Sequence, residues 1–137
     1  CVFMNVFDVH VNRSPMSGQI TYKKYIPGSF FNASLDKASN ENERLILNMD
    51  TENGNKIAFV QIAGLVARRI ICDVDIGHSL KAGEVFGLIR FGSRVDIYFP
   101  SEVSVMVLKG QKMIAGETII GDFSKNARPV KEITDEK

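Results

Sequence analysis

Asn53-Gly54 limits the fold of this chain more than any other pair. It lies in Thr51-Glu52-Asn53-Gly54-Asn55, between two apolar stretches, residues 45–49 and 56–62. Both turn positions tolerate φ > 0, which is what a two-residue hairpin demands. The segment is therefore read as two antiparallel strands. A chain committed to one hairpin must bury its apolar face against further strands.

The rest of the pattern supplies them. Residues 2–11 are rich in β-branched and aromatic side chains and stop at Pro15 and Gly18. Residues 20–26 read as a strand that ends at Pro27-Gly28. Residues 64–74 read as a strand or, around Arg68-Arg69, as a helical turn. Residues 75–83 are turn-like. Residues 84–91 and 94–99 are strands on either side of Gly92-Ser93, and residues 102–108 and 118–123 are expected to complete the sheet. Residues 30–43, with many Asn, Ser, Asp and Lys, are a loop or short helical turn and the expected mobile segment. Residues 124–137 are charged, contain Pro129 and are expected to be a disordered tail. The predicted fold is mainly β: a single-domain barrel or sandwich of short strands over residues 1–123, with little helix.

Charge and cysteine usage narrow the partners. Lys and Arg number 17 against 16 Asp and Glu, a net charge of +1. That argues against a nucleic-acid partner held by a basic stripe. Cys1 and Cys72 make no disulfide framework, and no Cys/His cluster has metal-ligand spacing, so no metal is expected. A reducing cytoplasmic setting fits. The most apolar run, residues 57–67, contains Gln61 and is far below the ~20 residues that span a bilayer, so membrane contact is expected to be peripheral. Residues 2–6 read as the middle of a strand, so the chain is expected to be a piece of a longer protein rather than a lipoprotein beginning at Cys1.

Few residues carry chemical promise by type and spacing. Asp8, His10 and Asn12 lie at period two and share one strand face. Two readings stand: a polar outer face, or a site in which His10 is an acid/base oriented by a carboxylate. Arg68, Arg69 and Arg94 could grip a phosphate or carboxylate through their guanidinium forks, although strand alternation turns one of Arg68 and Arg69 to solvent. His78 in Gly77-His78-Ser79 and Lys112 read as solvated. No phosphate-binding glycine loop and no Gly-x-Ser-x-Gly elbow is present. On its own, Gly92-Ser93 is a turn.

Four segments, in order and spacing, resemble the short bacterial branch of the phosphatidylserine decarboxylases. They are Phe7-Asp8-Val9-His10-Val11-Asn12-Arg13-Ser14-Pro15, Pro27-Gly28-Ser29-Phe30-Phe31-Asn32-Ala33, Val60-Gln61-Ile62-Ala63-Gly64-Leu65-Val66-Ala67-Arg68-Arg69-Ile70, and Gly83-Glu84-Val85-Phe86-Gly87-Leu88-Ile89-Arg90-Phe91-Gly92-Ser93-Arg94-Val95-Asp96. The similarity runs to about residue 123. It departs at Arg13, where the longer branch has a second histidine, and the family's Ala-Asp-Gly segment is not in the chain. The latter fits the C-terminal part of a proenzyme.

The resemblance implies self-cleavage between Gly92 and Ser93. Residues 1–92 would belong to the β chain and 93–137 would form the α chain of the same precursor, with Ser93 converted to a pyruvoyl cofactor. The pyruvoyl ketone would form a Schiff base with phosphatidylserine in the membrane, release carbon dioxide and give phosphatidylethanolamine. It implies His10 as the proton donor; Asp8, on the same strand face, is the candidate orienter by position. It also implies work at the cytoplasmic face of the bacterial cell membrane, and it leaves a homo-oligomer open. The competing reading is a non-catalytic carrier-like or lipid-binding β-sandwich module in which Gly92-Ser93 is only a turn.

Overall fold

The computed structural model describes residues 1–4, 8, 10–65, 69–89 and 92–124. They form two compact units, one spanning Cys1–Tyr98 and a second starting at Phe99.

The hairpin is the frame of the first unit. Strands β4 (Arg44–Thr51) and β5 (Lys56–Ile62) pair antiparallel with Leu47 opposite Phe59. Gly54 takes φ +83° in the connecting turn, a value glycine reaches without a Cβ clash. Alternation on β4 buries Leu45, Leu47, Met49 and Thr51. β3 (Gly18–Ile26) pairs with β4 on the outer side. β9 (Ser93–Tyr98) pairs with β5, β1 (Val2–Met4) with β9, and β7 (Ser79–Leu80) with β3, giving a six-stranded sheet in the order β1-β9-β5-β4-β3-β7. A second sheet has the order β2-β8-β6, from β2 (Val11–Arg13), β8 (Val85–Ile89) and β6 (Ile70–Cys72).

β5 is buried on both faces because two different layers cover it. Phe59 meets Phe86 of β8 edge-to-face, with ring centroids 4.9 Å apart. On the opposite face Val60 and Ile62 pack with Ala38 of the short helix α1 (Ala38–Glu41). The mainly β expectation is therefore met, and residues 30–43 do hold only a helical turn.

Three details differ from the sequence reading. Residues 2–11 do not make one strand: β1 joins the large sheet and β2 the small one. The strands on either side of Gly92-Ser93, β8 and β9, do not share one sheet but belong to different ones. Finally, β10 (Ser104–Val105) and β11 (Gly121–Asp122) do not complete that sheet; they pair with each other in the second unit. The expected tail, apart from Ser124, lies outside the described residues.

Candidate functional site

Gly92-Ser93 sits where the chain crosses from the small sheet to the large one. Gly92 has φ +67°, in the left-handed region, and a Cβ there would meet open space. Glycine is thus required for its dihedral and not for room. The carbonyl of Gly92 is crowded from another direction. An ideal Cβ on Gly64 would lie 1.8 Å from Gly92 O and 2.9 Å from Gly92 C.

Ser93 opens β9 and is fully buried. Strand pairing puts it opposite Met4, and Val95 opposite Gln61. Directly paired residues share a face and alternate residues repeat it. Met4, Ser93, Val95 and Gln61 therefore face the small sheet together. The Ser93 hydroxyl lies 3.5 Å from Ile89 O, a long hydrogen bond. Ile89 N–H in turn donates to His10 O at 3.2 Å. The end of β8 thus ties the His10 backbone and the Ser93 side chain to one residue.

The stripe at period two does not stay on one face: only its Asn12 end turns fully inward. Asn12 is buried, His10 is half-buried with Nδ1 out of solvent, and Asp8 is exposed. Gln61 Nε2 donates to Asn12 Oδ1 at 2.8 Å and to Ile71 O at 3.1 Å. Gly87 leaves room for this: a Cβ there would lie 2.7 Å from Gln61 Nε2. Asn12 Nδ2 points at Met4 Sδ, 3.7 Å away.

The arginines separate. Arg69 is exposed, and Arg68 lies outside the described residues. Arg94 alternates with Ser93 and so faces the helix side, where it is buried. Its Nε lies 2.9 Å from Asp96 Oδ1 in an ion pair not aligned as a hydrogen bond. Nη1 donates to Ala33 O at 2.9 Å and Leu35 O at 3.2 Å, while Nη2 reaches Asp96 Oδ2 at 3.2 Å and Ser39 Oγ. A guanidinium so used is a strut between β9 and residues 33–39. Burial, followed by the charge and hydrogen bond of Asp96, pushes the Tyr98 hydroxyl above its ordinary pKa.

Two polar residues that sequence reasoning did not single out as site groups shape this region. One is Gln61, visible only as a polar break in the apolar run. The other is Asn42, whose amide donates to Phe31 O and Ala63 O, each at 2.8 Å, and accepts from Phe31 N–H. It clamps the loop to the segment that carries Gly64.

Comparison with known proteins supplies a family. A family model for phosphatidylserine decarboxylase matches residues 1–121. Phosphatidylserine decarboxylase proenzymes of Rickettsia bellii (strain OSU 85-389) and Rickettsia akari (strain Hartford) are 60% and 58% identical to this chain. The proenzyme of Rickettsia typhi (strain ATCC VR-144 / Wilmington) is 56% identical. Each match covers 124 residues, 90% of this chain and 54% of the relative. The chain thus spans about half the length of the curated relatives it matches.

Proposed function

This chain belongs to the phosphatidylserine decarboxylase family, and we propose that it carries that family's chemistry: self-cleavage at Gly92-Ser93, then decarboxylation of phosphatidylserine to phosphatidylethanolamine. The observation that carries the reading is the crossover itself. The bond joins a left-handed glycine to a buried serine between two sheets. A cut there severs no hairpin, and β1 and β5 continue to hold the new end of β9.

The first step uses only groups of the chain. A base takes the Ser93 hydroxyl proton, Oγ bonds to the Gly92 carbonyl carbon, and the carbon–nitrogen bond breaks with its electron pair and a proton going to the Ser93 nitrogen. The product is an ester. Loss of the Ser93 Cα proton then expels Gly92 as a carboxylate. Water replaces the nitrogen as ammonia, and residue 93 ends as pyruvoyl. Burial of Ser93 suits this order, because bulk water would hydrolyse the ester before elimination.

A pyruvoyl group supplies a ketone that takes the substrate amine and draws off electrons as the carboxylate leaves. Residue 93 is buried at the start of β9, opposite Met4. We assign His10 as the group that moves protons there, since Ile89 bonds both its backbone carbonyl and the Ser93 hydroxyl, with Asp8 as its orienter. Arg69 and Arg68 stay as candidates for the headgroup. Arg94 does not, because its guanidinium is already spent inside the protein. The proposed place of work is the cytoplasmic face of the bacterial membrane, where the substrate lies. No helix among the described residues is long and apolar enough to cross it.

The carrier-like alternative reads Gly92-Ser93 as only a turn; the match to phosphatidylserine decarboxylase over residues 1–121 favours the decarboxylase reading instead. The test is decarboxylation of phosphatidylserine vesicles by the full-length protein. The unsubstituted protein is expected to release carbon dioxide and Ser93→Ala to release none; equal release from both refutes the reading.

A further inference from the structure

Gly64 has no conformational reason to be glycine. Its φ is not in the left-handed region, unlike that of Gly54, Gly77, Gly83 and Gly92. Its reason is a neighbour. The hydrogen a side chain would replace points at the Gly92 carbonyl, with the ideal Cβ position 1.8 Å from the oxygen and 2.9 Å from the carbon. Real Cβ atoms essentially never come within 3.0 Å of another heavy atom, so something must shift, and here the atom met is backbone, which gives way less cheaply than the end of a flexible side chain.

The seat is also held from behind. Ala63, just before Gly64, donates its N–H to Glu43 O at 3.0 Å and accepts at its carbonyl from Asn42 Nδ2 at 2.8 Å. Ala63 and Gly64 are both buried. A clash at residue 64 would therefore be relieved by moving the Gly92 carbonyl rather than by moving residue 64.

We infer that Gly64 is a positioning residue for self-cleavage: its bare Cα is the seat that orients the Gly92 carbonyl toward the Ser93 hydroxyl. This rests on the reading of Gly92-Ser93 as the bond that is cut. Attack needs Oγ to meet the carbonyl carbon along a narrow approach, and the oxygen's seat sets which face of that carbon is shown. An added methyl tilts the carbonyl and takes the pair out of its attack geometry. Misplacement of about 1 Å costs on the order of 100-fold in rate.

The experiment follows cleavage of the full-length precursor by mass spectrometry, with and without hydroxylamine, which traps the ester as a Gly92 hydroxamate. Gly64→Ala is compared with Gly18→Ala. A Cβ on Gly18 also meets a backbone carbonyl, Asp50 O at 2.3 Å, but in the β3–β4 pair away from the cut. The expected result is a folded Gly64→Ala precursor that cleaves about 100-fold more slowly than the unsubstituted chain. Its hydroxamate should form proportionally more slowly, while Gly18→Ala cleaves far faster. Equal slowing in both variants overturns the inference, as does an unsubstituted rate in Gly64→Ala or its recovery only as unfolded chain. An unsubstituted precursor that never cleaves instead defeats the underlying reading of the bond.

Discussion

Gln61 Nε2 donates to Asn12 Oδ1 across 2.8 Å, joining the six-stranded sheet to the three-stranded one beside the buried Ser93. The amide orientation follows from its partners, since Nε2 faces two acceptors, Asn12 Oδ1 and Ile71 O. Gln61 Oε1 is buried without a hydrogen bond. Truncating either partner strands the other in the interior, at a cost of about 1–3 kcal/mol. Asn12→Ala and Gln61→Ala should each destabilise a Ser93→Ala precursor by that amount in chemical denaturation. The double variant should lose clearly less than the sum, because the two residues share one bond.

Arg94 gives a different signature. Removing one member of a buried, hydrogen-bonded ion pair costs about 3–5 kcal/mol, because the remaining charge is uncompensated. Arg94→Ala in the same background should lose stability on that scale. Arg94→Lys should recover little, since a single ammonium cannot reach Ala33 O, Leu35 O, Ser39 and Asp96 together. Limited proteolysis should open the segment around residues 33–39 first.

Gly92 separates dihedral strain from crowding. Its Cβ direction is open, so the penalty for Gly92→Ala is that of the left-handed backbone, roughly 1–2 kcal/mol. Asparagine tolerates that region better than alanine. In the Ser93→Ala background, Gly92→Asn should therefore melt closer to the parent precursor than Gly92→Ala does, which differential scanning calorimetry resolves.

Cys72 carries a pH dependence. Burial, opposed by a smaller lowering effect from the Val74 backbone, pushes its thiol above the ordinary value. A raised folded pKa favours the neutral thiol. Its contribution is therefore complete below the unfolded thiol value, ~8.5, and is lost as pH rises through the folded one. Cys72→Ser should remove that alkaline loss, and Cys72 should alkylate more slowly than the exposed Cys1 near pH 8.

Much of the fold was legible because local rules decide it. Asn53-Gly54 specified the hairpin, and the polar stretch over residues 30–43 did hold only a short helix. Tertiary choices were not legible. Alternation put Asp8, His10 and Asn12 on one face but could not say that Asn12 is buried against the six-stranded sheet while Asp8 stays exposed. The same pattern that read residues 84–91 and 94–99 as strands could not show that they enter different sheets. Arg94 looked like a free guanidinium; its partners, Ala33, Leu35 and Ser39, lie more than fifty residues away in sequence. The crowding of Gly64 against Gly92 links two turns nearly thirty residues apart and leaves no periodic trace.

The central claim is that the chain is cut between Gly92 and Ser93, and intact mass spectrometry of the full-length gene product tests it most directly. The account predicts two fragments, one ending at Gly92. The other begins at residue 93, is lighter by one ammonia than a serine-initiated chain, and is blocked to N-terminal sequencing. A single uncut chain, or a second fragment beginning with free serine, would contradict it.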